Sequence, residues 1–428
     1  MRYVVFGAVA AATVGLFPAI ASATPAPMYQ WNGLYGGAQV GYSLGGSAET
    51  NVLSPSTNPW RYGSEGASAG LFAGYNHAFG NWVGGVEVEG NRGSLAGHYY
   101  DTFYGTGPFY TQDWSTAERV RLGYLANLST LFYGSIGLAQ GDVNFSNGYF
   151  AVAGYDALDE AVNGVQVGAG VEAFVTPNLS MRVEGAFTHY SNADVHYNGI
   201  LYYQEAVDTL AARLGIVYHP GWLGGPTMAT ASAPTGWSWA GMYVGGQVGA
   251  MMLNDPEDYN PGFYIPPYDP SYSMGSQVAG SVGTYAGYNW QMGNIVAGIE
   301  AGAELPNLSV PYSTYTYVNH AWSAGVRGRL GFVTAGNTLL YGSVGWTLGH
   351  FDYSGYFTSS SYSDDVFTDS GLQIGLGAEA FLTSRLSMRF ETVYTQYGTH
   401  DILYNADPYW NVSPHTLEAR IGLTYHLK

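Results

Sequence analysis

The run from Gly164 to Glu184, GVQVGAGVEAFVTPNLSMRVE, alternates with period two, turns over a few residues and alternates again. Gln166, Gly168, Gly170 and Glu172, then Ser180, Arg182 and Glu184, share one parity. Val165, Val167, Ala169, Val171, Met181 and Val183 share the other. Successive strand residues point to opposite faces, so the run predicts a β-hairpin with one charged face and one apolar face. Its tight turn falls at Thr176-Pro177-Asn178. The same hairpin recurs from Gly371 to Glu391, GLQIGLGAEAFLTSRLSMRFE, with 13 of 21 positions identical at a constant offset of 207.

The pattern extends along the chain. Strands are predicted from Trp31 to about Gly45, over GLFAGYNHAF and WVGGVEVEG around the turn Gly80-Asn81, and over STAERVRLGYLA and TLFYGSIGLAQG around Asn127. The hairpin follows, and VDTLAARLGIVYH closes the series at His219. Connections alternate between about 15–20 polar residues and about two to five. Short turns on one side and long loops on the other are the construction of an outer-membrane barrel. Runs of roughly 10–13 residues suit tilted strands that cross the hydrocarbon, which takes about 9–11.

Residues 220–238 carry Pro, Gly, Ser and Thr without alternation and read as a periplasmic linker. The cycle then restarts at Trp239, and each of the eight predicted strands has a counterpart. The expected organisation is therefore a barrel over 24–219, the linker 220–238 and a second barrel over 239–428. The fold class is all-β: transmembrane antiparallel up-and-down β-barrels, two eight-stranded units in tandem. A single 16-stranded barrel, with 220–238 as an oversized turn, uses the same strands and is the alternative.

The polar parity collects Glu87, Glu89, Arg119, Arg121, Glu172, Arg182, Glu184 and Arg213 in the first half. In the second it collects Glu300, Glu304, Arg327, Arg329, Glu379, Arg389, Glu391 and Arg420, with Glu418 also in phase. Outward residues of a membrane barrel meet lipid and must be apolar, so this set is expected inside. An eight-stranded barrel is just wide enough for side chains to fill it, which makes the set a structural ion-pair plug. Each carboxylate has an Arg available, which argues against acid/base or metal roles for Glu87, Glu89, Glu172 and Glu184. His98, His196, His350 and His400 lie at loop or strand ends with no HxxxH spacing and no Ser/His/Asp grouping, so solvated or interfacial histidine is expected. No catalytic residue, cofactor or metal site is expected.

Charged residues make up only 10% of the 428, and there is no Cys. The formal net charge of −18 disfavours nucleic acid as a partner. Residues 1–23, with Arg2, an apolar run and Ala21-Ser22-Ala23, read as a cleaved secretory signal. Tyr42, Tyr124, Tyr218 and Tyr425 fall on the outward parity and suit an interfacial girdle. The segments from Tyr99 to Tyr110 and from Asp255 to Tyr272 combine aromatic and acidic residues, a composition for contacting a receptor or glycan or for loop folding. A cation site among Asp255, Glu257, Asp258 and Asp269 lacks the D-x-D-x-D-G pattern.

The motifs W-x-G-x-Y-x-G-G-x-x-G at Trp31 and Trp239, A-G-Y-N at Ala73 and Ala286, R-x-R-L-G at Arg119 and Arg327, and the closing R-x-G-L-x-Y strand resemble the bacterial outer-membrane β-barrel domain family. Within it they look like the small porin-family surface proteins of alphaproteobacterial type, related in architecture to the OmpA and OmpX barrels. The resemblance covers each half from end to end. It implies an outer-membrane structural and surface-interaction protein, with a role in envelope integrity and adhesion through the loops, and no catalytic residues. Outer-membrane lipid and lipopolysaccharide, the barrel-assembly machinery and a host or surface ligand are the expected partners. The alternative function is a porin-like channel for small solutes. Family members are usually one barrel and usually end in Phe, whereas here Tyr425 and Leu427, on the outward parity, precede Lys428.

Overall fold

A computed structural model describes residues 29–53, 60–101, 105–144, 158–222, 237–259, 271–306, 308–312, 316–353, 366–404 and 407–427. The expected signal at 1–23, most of the linker and Lys428 lie outside the described residues.

The first half contains β1 (Gly33–Asn51), β2 (Trp60–Phe79), β3 (Trp82–Asp101), β4 (Gly105–Asn127), β5 (Thr130–Asn144), β6 (Asp159–Phe174), β7 (Leu179–Tyr190), β8 (Ala193–Tyr197) and β9 (Ile200–Tyr218). The second contains β10 (Gly241–Tyr259), β11 (Ser271–Met292), β12 (Ile295–Pro306), β13 (Leu308–Tyr312), β14 (Thr316–Val333), β15 (Thr338–Asp352), β16 (Val366–Phe381), β17 (Leu386–Tyr397), β18 (His400–Tyr404), β19 (Asp407–Val412) and β20 (His415–Leu427). Neighbours pair antiparallel throughout. β9 returns to β1 along Gly36↔Tyr218 to Asn51↔Tyr203, and β20 returns to β10 along Met242↔Leu427 to Asn254↔His415. Each half therefore closes on itself. The 16-stranded alternative is excluded, because its closure needs β9 or β1 to pair with the second half along their whole length.

The strands run longer than the alternation predicts. β3 and β4 continue to Asp101 and from Gly105, through the segment read as a long polar loop. Sequence parity explains the extension: above the lipid the pattern changes phase. Val143, Val162 and Val207 point inward and pack with Leu95, Tyr110 and Tyr190. Outside that level the wall meets water rather than acyl chains, so the apolar side chains move to the interior as in a soluble barrel. In the second barrel Leu253, Phe351, Phe367, Tyr397 and Val412 build the same layer.

Within the lipid band the outward parity is apolar and exposed, as at Leu71, Val88, Val120 and Leu138. Trp82 stacks edge-on against Tyr124 at 5.3 Å beside the short turns, and exposed Tyr218, Tyr288, Trp290 and Tyr425 continue this belt. Such rings sit where acyl chains give way to headgroups.

Part of the outward parity is buried instead, because the barrels stand side by side. Phe132, Val171, Ala173 and Val183 pack with Leu340, Ala378, Ala380 and Phe390 of the second barrel. Further from the short turns, Leu44 and Leu210 pack with Met252 and Leu417. Tyr42, expected in the girdle, lies half-buried here, its ring 5.5 Å from that of Tyr394. The reason is that lipid-facing and barrel-facing positions carry the same parity.

Candidate functional site

The lumens are the most densely functionalised part of the molecule. All sixteen residues of the predicted ion-pair set are buried, and so is Glu418. Strands β3, β4, β6, β7 and β9 aim them at one level, since the ladders put Glu87 opposite Arg119, Glu172 opposite Arg182 and Glu184 opposite Arg213. Glycines on the same parity leave room for the long chains; at Gly137 a Cβ would collide with the backbone and Cβ of Arg119.

Glu87 is the hub of the first barrel. It pairs with Arg119, with Arg182 at 2.7 Å and with Arg121 at 3.4 Å, and accepts from the Tyr35 hydroxyl at 2.8 Å. Glu184 takes Arg119 at 2.8 Å, Arg213 at 3.1 Å and the Tyr133 hydroxyl at 2.6 Å. Glu89 holds Arg213 at 2.8 Å, and Glu172 holds Arg121 at 3.0 Å. Arg182 lies over the Phe72 ring at 3.8 Å, so its flat face is covered as its edge is paired.

The second barrel repeats the arrangement. Glu300 takes Arg389 at 2.7 Å and Arg327 at 2.5 Å, Glu391 takes Arg327 at 2.8 Å and Arg420 at 2.7 Å, and Glu379 takes Arg329 at 3.1 Å. Glu304 binds Arg420 at 2.5 Å. Here there is a fifth carboxylate: Glu418 meets Arg420 at 3.0 Å, where the first barrel has Ala211.

Two features of the interior escape the sequence reading. Trp31 and Trp239 turn into the periplasmic mouths beneath the ion pairs. The Trp31 indole donates to the Leu128 carbonyl at 2.9 Å and packs edge-on to Phe174 at 4.7 Å, and the Trp239 indole donates to Asn337 at 3.1 Å. Between stopper and ion pairs sit His219, 2.9 Å from Glu172, and His426, 2.9 Å from Ser387. These two, with His320 and His415, are buried, whereas His196, His350 and His400 lie partly exposed and His98 is outside the described side chains. The expectation of solvated or interfacial histidine thus fails at four of the described positions. The signal was present for His219, which shares the parity of Arg213.

Each interior is filled at three levels: aromatic stopper, ion pairs and apolar layer. The residual cavity beside Arg213 measures about 40 Å³, and that beside Arg420 about 30 Å³. That is room for a few water molecules, not a solute path. Among the described residues no cluster of three or more His, Cys, Asp or Glu is placed to hold a metal. Asp255, from the candidate cation set, is buried and accepts from the Tyr353 hydroxyl. Asp269 and the side chains of Glu257 and Asp258 lie outside the described residues, as does much of both Tyr-rich segments.

Known outer-membrane proteins share sequence with this chain. The "22 kDa outer membrane protein" of Rhizobium leguminosarum bv. viciae is 32% identical over 164 residues, covering 38% of this chain and 67% of the relative. The "25 kDa outer-membrane immunogenic protein" of Brucella canis is 30% identical over 201 residues, 47% of this chain and 84% of the relative. The crystal structure of Neisserial surface protein A aligns over 44% of this chain and 98% of its own at 17% identity, with a TM-score of 0.27. The profile of the outer membrane protein beta-barrel domain matches residues 9–218 and again 226–426. The chain therefore belongs to the outer membrane protein beta-barrel domain family, of which it carries two copies, and it resides in the bacterial outer membrane.

Proposed function

We propose that the protein is a non-conducting surface component of the outer membrane, acting as two filled anchors that hold extracellular hairpins outside the cell. The observation that carries this reading is the hub at Glu87, repeated at Glu300: two arginines of the neighbouring strand and a third from the opposite wall converge on one carboxylate in each lumen. A solute channel needs that space for water. Here the guanidinium groups are fixed by partners on opposite walls, and aromatic and apolar layers lie below and above them.

The functional surface is then the extracellular hairpin tips, acidic and rich in Tyr, presented to a receptor, glycan or neighbouring envelope component. Lipopolysaccharide and the assembly machinery are its membrane partners in this reading. No catalytic step is assigned. Planar-bilayer recording tests the anchor: rare or no openings are expected, and steady nanosiemens channels overturn it. Exchanging the hairpin tips between halves, and following adhesion of cells that display each chimera, tests the surface role. Adhesion that is indifferent to every exchange and to tip deletion removes it.

A further inference from the structure

The seam between the barrels has internal symmetry. Thr130 and Thr338 hold the same place in the two halves, and their hydroxyls hydrogen-bond to each other across the seam. Every buried residue of both seam clusters likewise has its counterpart in the same cluster: Phe132 with Leu340, for example, and Leu210 with Leu417. Contact of a position with its own counterpart is the mark of a twofold interface, in which one patch recognises itself. The pseudo-axis runs parallel to the barrels, since both sets of short turns lie at the Thr130 end. Membrane insertion demands that orientation of two barrels that share one bilayer.

The backbones come close at three heights. A Cβ on Gly336 would collide with Ser129, one on Gly185 with Ala419, and one on Gly46 with Ser276. Small residues at a lipid-embedded contact let surfaces approach and gain dispersion where no hydrophobic force between them exists.

The symmetry is broken on one side. His415 of the second barrel lies 3.3 Å from Glu65 of the first, beside the Tyr42 and Tyr394 rings. Alignment of the halves puts Asp208 where His415 stands, and Val278 where Glu65 stands. Two first barrels meeting through this face would set Glu65 against Asp208. Two second barrels would leave His415 against Val278.

We infer that this face is a self-recognition surface made selective for the other half of the chain, with Glu65 and His415 rejecting like-with-like pairing. The partner of each barrel is thus its tandem neighbour, held by the seam rather than by the linker alone. Repulsion between carboxylates in the wrong pair supplies selectivity that apolar packing lacks. The inference is independent of what the hairpin tips bind.

The natural chain has no Cys, so an engineered pair reads the contact cleanly. Full-length Thr130→Cys/Thr338→Cys protein, with a protease site substituted in the linker, is oxidised in membranes, cleaved and denatured. The two halves are expected to stay covalently joined, while either single variant yields free halves with little cross-linking between chains. Adding His415→Asp should lower the joined fraction by about tenfold, the effect of some 1.4 kcal/mol. Adding Glu65→His to that variant should restore it. Free halves from the double-cysteine protein with both thiols reactive, a yield unmoved by His415→Asp, or Thr130→Cys alone linking two chains as readily would each overturn the inference. If the threonine variants do not assemble, Leu44→Cys/Met252→Cys reads the same seam at another height.

Discussion

Arg182 of β7 reaches Glu87 of β3 at 2.7 Å across the first lumen, joining two strands that are not neighbours in the barrel wall. Glu87→Gln keeps the shape of the hub but leaves Arg119, Arg121 and Arg182 facing a neutral amide. Removing one partner of a buried ion pair costs about 3–5 kcal/mol, and a loss at the upper end is expected here because three cations share the site. Urea unfolding of the heat-modifiable form measures it. Arg182→Met together with Glu87→Leu should cost less than Glu87→Gln alone, since no buried charge of the pair is then left behind.

Trp31→Ala empties the periplasmic stopper. Truncation of a buried Trp costs about 3–5 kcal/mol, and the same loss is expected for Trp239→Ala in the second barrel. Neither variant should conduct steadily in a bilayer, because the ion pairs above remain in place. Steady conductance from Trp31→Ala would show that the stopper alone blocks the lumen.

Glu118 stands on the outward parity of β4, with Val88 and Leu138 as its ladder neighbours and an exposed side chain. The second barrel carries Val326 there. A carboxylate facing lipid is costly, though less so than a lysine or arginine at about 2–4 kcal/mol. Glu118→Val should therefore stabilise the inserted barrel by about 1 kcal/mol, measured by refolding into vesicles. A destabilising result would reveal a polar partner at this place in the membrane.

Glu49 and Glu205 face each other across β1 and β9 above the lipid band, and both are buried. Burial pushes Glu49 up to about 7, and burial together with the nearby Glu49 pushes Glu205 well above the ordinary carboxylate range. The folded rim binds protons that an opened rim releases, so its stability is fully present near pH 4 and falls as pH rises through about 7. Amide exchange over residues 44–51 and 203–210 should quicken across that window, and Glu205→Gln should flatten the dependence. Exchange that slows with rising pH beyond its intrinsic base catalysis would contradict the assignment.

Much of this was legible in the chain itself. Period two gave the strands, the alternation of short and long connections gave the architecture, and the parity of Arg and Glu placed the sixteen predicted ion-pair residues in the lumens. The seam was not legible, because Val171 against the second barrel and Val165 against lipid are the same residue on the same parity. Nor were the strand extensions. Irregularities at Arg92/Leu95, Thr111/Ser115 and His320/Trp322 shift the register where the phase changes, so period two is broken where the environment turns aqueous. Trp31 and Trp239 stood out only as a repeated motif, since nothing in alternation tells a residue before a strand to fold under it.

The length of β4 has a topographic consequence. Its 23 residues rise about 55 Å along the barrel axis at a tilt near 40°, against an apolar band about 25 Å tall. Roughly 30 Å of woven wall thus projects beyond the acyl chains. Whatever meets this protein from outside therefore encounters two tall walls before it reaches the membrane surface.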